Sequence, residues 1–229
     1  MRTVIIGDIH GCSGALQELL ALVKPEIGKD RLAFLGDLFD RGPESREVFL
    51  VVSQLAESFG QDFVLLRGNH EDFLLAPNLT ARQKKIWEHV GRQATVDSFR
   101  RAGEKMEDTI PWVQEHAQLF WRTEMFQCAH AGVLAEPLEA NDLWTLVHDH
   151  DVVIQNRYAG KLTITGHIAL KQATWFAGDG ETSVELADGV AYDLPENGVI
   201  CIDTGCGKGG RLTAMMIEEK RFLLYSVPE

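Results

Sequence analysis

The chain has 229 residues, with 22 Lys and Arg against 34 Asp and Glu, a formal net charge of −12. That length admits one large α/β domain or two small ones with a sizeable core, and 45% hydrophobic with 24% charged residues is ordinary for a soluble globular protein. The acidic excess disfavours a nucleic-acid backbone as the main partner, because neutralising phosphates takes clustered cations.

In chain order, "TVIIG" (3–7) is a short apolar run before a glycine, hence a buried strand. "SGALQELLALVK" (13–24) carries Leu16, Leu19, Leu20 and Val23 at helical spacing, with Ser13 as a candidate N-cap. "RLAFLG" (31–36) is a second strand. "PESREVFLVVSQLAESFG" (43–60) opens with Pro43 and closes with Gly60, a helix marked at both ends. "DFVLLRG" (62–68) is a third strand. Strand–helix–strand–helix–strand implies parallel strands joined by right-handed crossovers. Residues 80–103 look helical and basic, and 110–120 suggest another short helix. The runs at 125–130, 161–167, 173–178, 198–205, 211–218 and 221–227 then read as strands joined by short turns, so this half is expected to be antiparallel or mixed. The reading is an α/β fold in one domain spanning 1–229, two sheets packed together with helices outside.

"MRTVIIGDIHG" enters a strand directly, without a charged leader and apolar stretch, and no segment approaches ~18 uninterrupted apolar residues. No secretion signal, membrane span or membrane partner is expected. Cys12, Cys128, Cys201 and Cys206 form no CxxC pair and read as reduced thiols of a cytoplasmic protein.

Three consecutive strands each end in a turn rich in ligand-type side chains. "VIIGDIHG" delivers Asp8 and His10, "AFLGDLFDRG" delivers Asp37, Asp40 and Arg41, and "LLRGNHED" delivers Arg67, Asn69 and His70. Parallel neighbours bring such ends together, where open α/β sheets bind ligands. "CAHAG" adds His130 and "TITGH" adds His167. One Asp-x-His after a strand is an ordinary turn. Five such turns in one chain form a ligand set. Asp, Asn and His without thiolate suit manganese, iron or zinc, and two adjacent metals need a shared carboxylate, for which Asp37 on the middle strand is placed. A carboxylate such as Asp40 near His70 would favour the imidazolium, the form that donates a proton. "HDHD" (148–151) reads as a surface loop.

Together "GDIHG", "GDLFDRG", "RGNHE", "HAG" and "GH" resemble the metallophosphoesterase signature. More narrowly they resemble the phosphoprotein phosphatase (serine/threonine phosphatase) family in its compact bacterial and phage branch. The resemblance covers about residues 3–217. It implies a calcineurin-like β-sandwich of two mixed sheets flanked by helices, with two divalent metal ions, manganese first among the candidates. It implies that Asp8, His10 and Asp37 hold one ion, and that Asp37, Asn69, His130 and His167 hold the other. It further implies that Arg41 grips phosphate oxygens, and that His70, oriented by Asp40, protonates the leaving group while a metal-bridging water or hydroxide attacks phosphorus.

The family's usual Trp-x-Arg has Leu146 at the arginine's place, in "LWTLVH". Lys208, in the glycine-rich "CGKGG", and Arg157 are the candidate replacements for that phosphate contact. Three functions follow from the resemblance. The main reading is a phosphomonoesterase acting on phosphoserine or phosphothreonine proteins or on small phosphate esters. The alternatives are a bis(5'-nucleosyl)-tetraphosphatase-like hydrolase and a pseudo-phosphatase that binds a phosphorylated partner. Asp40 and Glu71 are read as favouring the first.

Overall fold

The computed structural model describes residues 1–155 and 160–229. Strand β1 (Arg2–Ile6), helix α1 (Ser13–Val23), strand β2 (Asp30–Phe34), helix α2 (Ser45–Phe59) and strand β3 (Phe63–Leu66) alternate as the sequence implies. The three strands are parallel neighbours, with Ile6 beside Phe34 and Phe34 beside Leu65. Four helices follow: α3 (Asn69–Leu75), α4 (Ala81–His89), α5 (Arg92–Arg101) and α6 (Ile110–His116). Strands β4 (Ala117–Gln118), β5 (Phe120–Arg122) and β6 (Gln127–Ala129) lead to helices α7 (Leu143–Val147) and α8 (Asp151–Ile154). The remaining strands are β7 (Thr163–Thr165), β8 (Thr174–Phe176), β9 (Ser183–Glu185), β10 (Tyr192–Asp193), β11 (Val199–Cys201), β12 (Arg211–Glu218) and β13 (Arg221–Pro228).

Among the described residues, one seven-stranded sheet has the order β10-β13-β12-β1-β2-β3-β4, and one six-stranded sheet has the order β5-β6-β7-β11-β8-β9. Both are mixed. β12 runs antiparallel to β1 and β13, whereas β7 runs parallel to β6 and β11. Successive side chains of a strand point to opposite faces. Ile5, Ala33, Leu35 and Leu66 therefore meet Cys128, Ile164 and Ile200 between the sheets. Val4 and Ile6 face the other way, onto Leu16 and Leu19 of α1 and the layer that holds Val48 and Val52 of α2. Both faces of β1 are covered, which is why "TVII" is apolar without alternation. Truncating a fully buried residue here, Ile5 for example, costs about 2–5 kcal/mol. A third cluster packs Val147 and Val152 of α7 and α8 against Ala129 and Cys201 on the outside of the second sheet.

Three local expectations change. Ser13 is the first helical residue, not the cap; Cys12 holds the cap position, and its carbonyl already accepts the Leu16 N–H at 3.1 Å. The basic stretch 80–103 is two helices, broken at Val90 and Gly91, where Gly91 takes φ 108°. "GNHED" is the first turn of α3 rather than a free turn, because Glu71 accepts the Gly68 N–H at 3.0 Å and Gly68 O accepts the Asp72 N–H at 2.9 Å. All four cysteines are buried and free. Among the described residues no helix is long and apolar enough to cross a membrane.

Candidate metal centre and active-site cleft

The loops that leave β1, β2 and β3 meet the loops that leave β6 and β7 at one end of the two sheets. Backbone bonds stitch the first two together: the Ile9 and His10 N–H groups donate to Asp37 O at 3.1 and 2.9 Å, and Gly11 N–H donates to Leu38 O at 2.9 Å. Glu71 ties the third to the second. Its carboxylate is fully buried and accepts the N–H groups of Asp37 at 2.7 Å, Leu38 at 2.8 Å and Gly68 at 3.0 Å. Burial and then the neighbouring Asp37 charge push the Glu71 carboxyl up to about 7, against the pull of those N–H bonds. His10, Asp37, Asp40, Arg41 and His167 all have positive φ, between 49° and 70°. Such backbone is uncommon outside glycine and costs of order 1–3 kcal/mol per residue, so the surrounding bonds must hold it. Two glycines are obligatory neighbours: a Cβ on Gly68 would lie 2.2 Å from Asp37 Oδ1, and one on Gly166 would lie 2.0 Å from Asp8 Oδ1.

Asp37 is the hub. Its Oδ1 accepts the His70 N–H at 3.0 Å. Its Oδ2 lies 3.5 Å from His130 Nε2, 3.6 Å from His10 Nε2 and 3.8 Å from His70 Nε2. These atoms converge at separations too long for hydrogen bonds. Two groups of donor atoms each fall within 4.8 Å of one another: His10, Asp37 and His70, and Asp37, His130 and His167. Asp37 belongs to both. Asn69 joins the second through Oδ1, which is 2.8 Å from His167 Nδ1 and 3.1 Å from His130 Nε2.

The imidazoles are preset. His10 Nδ1 lies 3.0 Å from Phe39 O, His130 Nδ1 lies 2.7 Å from Leu35 O, and His167 Nε2 lies 3.3 Å from His148 O. A carbonyl only accepts, so those nitrogens carry protons, and the opposite nitrogens of the three rings face the cluster. Burial and the neighbouring His70 hold His10 well below the ordinary histidine value, and burial and His130 do the same for His167. Burial resists charge on His130, but Asp37 and Asp8 outweigh it and push that imidazole up to about 10. Burial would raise Asp37, yet His130 and His70 hold it well below the usual carboxylate range. This oxygen and nitrogen donor set, without thiolate, can hold divalent cations of the manganese, iron or zinc type.

Asp8 stands in neither donor group. Its Oδ2 accepts the His167 N–H at 2.9 Å, and its buried Oδ1 has no hydrogen-bond partner among the described residues. Burial and the nearby Asp203 raise its pKa well above the ordinary value. Asp203, in "IDTG", is a buried acid that sequence reasoning passed over. Its Oδ1 accepts the Gly205 N–H at 2.9 Å and its Oδ2 is unpartnered among the described residues. The signal was present, since Asp203 follows an apolar strand as Asp8 and Asp37 do. The orphaned buried carboxylate oxygen of Asp8, beside imidazole nitrogens that face the same cluster, fits a divalent cation.

His70 and Asp40 pair as the sequence implied, with His70 Nδ1 2.6 Å from Asp40 Oδ2. Burial lowers the His70 pKa, but Asp37 and Asp40 outweigh it and the net shift is upward. Asp40 is itself held from the two basic helices. Trp87 Nε1–H donates to its Oδ2 at 2.7 Å, and the Thr95 hydroxyl donates to its Oδ1 at 2.7 Å. The cations of these helices lie on their exposed side, where Arg92 pairs with Glu88 at 2.9 Å and Arg100 with Asp97 at 2.8 Å.

The cluster forms the floor of a cleft of about 580 Å³. Arg41 and Lys208 line it, and Arg41 Nε–H donates to His10 Nε2 at 3.2 Å. Arg157 lies outside the described residues. Leu146 is buried in the α7 cluster, away from the cleft. Arg67 does not line the cleft; it pairs with Asp72 and so orders the turn. His148 and His150 were read as a surface loop, yet both line the cleft. His148 Nε2 lies 2.8 Å from Asp72 Oδ2, and His150 stacks on His167 with centroids 4.5 Å apart.

A symmetrical bis(5'-nucleosyl)-tetraphosphatase of Coxiella burnetii is 30% identical over 152 residues, 66% of this chain and 47% of that one. The chain thus spans about half the length of the first curated relatives it matches. An asymmetrical bis(5'-nucleosyl)-tetraphosphatase of Oceanobacillus iheyensis is 29% identical over 97% of this chain and 91% of its own. A cold-active protein-tyrosine phosphatase of a psychrophile Shewanella superposes with a TM-score of 0.62 at 15% identity, over 99% of this chain and 80% of that one, a likeness of fold. The model of the calcineurin-like phosphoesterases matches residues 1–188, and the chain belongs to that family.

Proposed function

We propose that residues 1–229 form one catalytic domain that hydrolyses dinucleoside polyphosphates of the diadenosine tetraphosphate type. The observation that carries this reading is the likeness to the asymmetrical tetraphosphatase, which extends through 97% of the chain. The cleft supports it: a polar floor adjoins an apolar wall, with more room than a phosphate alone needs. In this reading Asp8, His10 and Asp37 hold one divalent ion, and Asp37, Asn69, His130 and His167 hold the other, with manganese, iron and zinc all compatible with the donors and manganese the ion proposed. Bound there, two ions supply Lewis-acid neutralisation of phosphoryl oxygens and an acidified water. Arg41 grips equatorial phosphate oxygens as a planar fork, and Lys208 adds a mobile point charge. Asp40 holds His70 charged and oriented, and His70 gives a proton to the departing oxygen.

The second reading, a phosphoserine or phosphothreonine phosphatase, is favoured by that proton donor. A serine alkoxide leaves poorly without a proton, whereas a nucleotide phosphate leaves readily. The test compares kcat/KM of the manganese-loaded protein for diadenosine tetraphosphate and for a phosphoserine peptide, with chelator controls. The proposal expects the dinucleotide to be favoured at least tenfold and chelator to abolish both activities. A preference for the peptide would move the function to the second reading.

A further inference from the structure

One wall of the cleft is apolar and open. Trp144 of α7 is 63% exposed, Leu143 is 41% exposed and Ile86 of α4 is 42% exposed. All three border the same cleft as His10, Asp37 and His167. A single exposed apolar side chain is ordinary; three around the mouth of a catalytic cleft mark a surface that something covers.

Trp144 is also held in place. Its indole stacks on the His148 ring, centroids 5.3 Å apart and planes 15° from parallel. His148 is fixed in turn by Asp72 at 2.8 Å, and Asp72 by Arg67. Phe73 packs edge-on against the His148 ring, centroids 6.0 Å apart. One indole face is thus covered by an anchored ring, while most of the side chain remains open to solvent. A ligand that stacks on it loses little affinity to ordering the side chain. The platform is tied to the metal cluster by one short link, since His148 O lies 3.3 Å from His167 Nε2. Gln83 borders the same space. Its Oε1 accepts from Thr80 N at 2.9 Å and Thr80 Oγ1 at 2.8 Å, so its amide N–H groups are the end left for a ligand.

We infer that Trp144 is a nucleobase platform: the planar base of a nucleotide stacks on the indole while its phosphates reach the Asp37 cluster. The inference rests on the dinucleoside polyphosphate reading and deepens it. A base offers a π-face to the indole and ring acceptors to the Gln83 amide, and Arg41 and Lys208 receive the anionic chain that follows. A phosphopeptide carries no planar heterocycle at a fixed distance from its phosphate.

The experiment uses the manganese-loaded full chain as wild type, Trp144→Ala and Trp144→Phe. Adenosine monophosphate binding is measured by calorimetry, and kcat/KM is measured for diadenosine tetraphosphate, glycerol 2-phosphate and a phosphoserine peptide. Trp144→Ala is expected to weaken adenosine monophosphate about tenfold, within the range of base–aromatic stacking, and Trp144→Phe by about threefold or less. The ratio of kcat/KM for the dinucleotide over glycerol 2-phosphate is expected to fall about tenfold in Trp144→Ala. Unchanged nucleotide affinity overturns the inference. So does an equal loss on all substrates, or a loss largest on the peptide. Should the wild type hydrolyse glycerol 2-phosphate but not the dinucleotide, the substrate reading fails. Nucleotide binding then decides alone: a tenfold loss upholds the platform and equal affinities overturn it.

Discussion

Replacing Thr95 by valine tests whether the two helices over residues 80–103 serve the site from beneath. The Thr95 hydroxyl is fully buried. It donates to Asp40 Oδ1 at 2.7 Å, accepts the Asp40 N–H at 2.8 Å and lies 2.9 Å from Ser45 Oγ. Valine has nearly the same shape, so no cavity opens, but the carboxylate oxygen loses its donor. The Asp40 N–H keeps Ser45 Oγ at 3.2 Å, so the charged bond dominates the loss. A hydrogen bond to a charged group is worth about 1.5–3 kcal/mol. For a chain of this size each kcal/mol lowers Tm by roughly 2–4 °C, so a drop of roughly 3–12 °C is expected in thermal unfolding of the metal-free protein. Asp40 also orients His70. Activity on glycerol 2-phosphate, a poor leaving group, should therefore fall about tenfold more than activity on p-nitrophenyl phosphate. A Tm within about 1 °C of wild type, with the ratio of the two rates unchanged, would refute the bracing role.

Asp37→Ala removes the carboxylate common to both donor groups and should abolish turnover; two metals retained per chain by elemental analysis would contradict the shared assignment. His70→Asn should keep its metal and lose about 10²–10⁴ in rate on alkyl phosphates, with a smaller loss on aryl phosphates and polyphosphates; equal losses count against a proton donor. Asp40→Asn bears on pH. Asp37 and Asp40 raise the His70 pKa, and a proton donor is lost as pH rises through its own pKa. The variant, missing one raising charge, should lose alkyl-phosphate activity at lower pH than wild type, and an alkaline limb that stays in place would speak against the pairing. Lys208→Ala should lower kcat/KM about tenfold, as for one charge-assisted hydrogen bond; wild-type kinetics there, with a defect in Arg157→Ala, would transfer the phosphate contact to Arg157.

The sheet order around β1, β2 and β3 was legible because each strand is a local apolar run that ends in its own glycine-flanked motif. For the same reason Asp37, Asn69, His130 and His167 could be named before their meeting was seen. What the sequence hid depends on distant partners. Trp87 and Thr95 reach Asp40 across 47 and 55 residues, and nothing in their own neighbourhoods marks them. His148 reads as a loop residue until Asp72, 76 positions earlier, is found beside it. The left-handed backbone at His10, Asp37, Asp40, Arg41 and His167 is equally invisible, since none is glycine. Glu71 carries a lesson about substrate. Its oxygens are consumed by the N–H groups of Asp37, Leu38 and Gly68. It therefore reports how the turns are tied together and says little about phosphoprotein against nucleotide. The open wall to which the platform proposal assigns that choice was hidden too, because Trp144 and Ile86 lie on separate helices and share no motif.

The shared position of Asp37 is the claim on which the rest depends, and anomalous diffraction from crystals soaked in manganese tests it most directly. Two peaks are expected, one reached by His10 Nε2 and the other by His130 Nε2, His167 Nδ1 and Asn69 Oδ1, with Asp37 carboxylate oxygen in contact with both. A single peak, or two peaks of which one makes no contact with Asp37, would contradict the account.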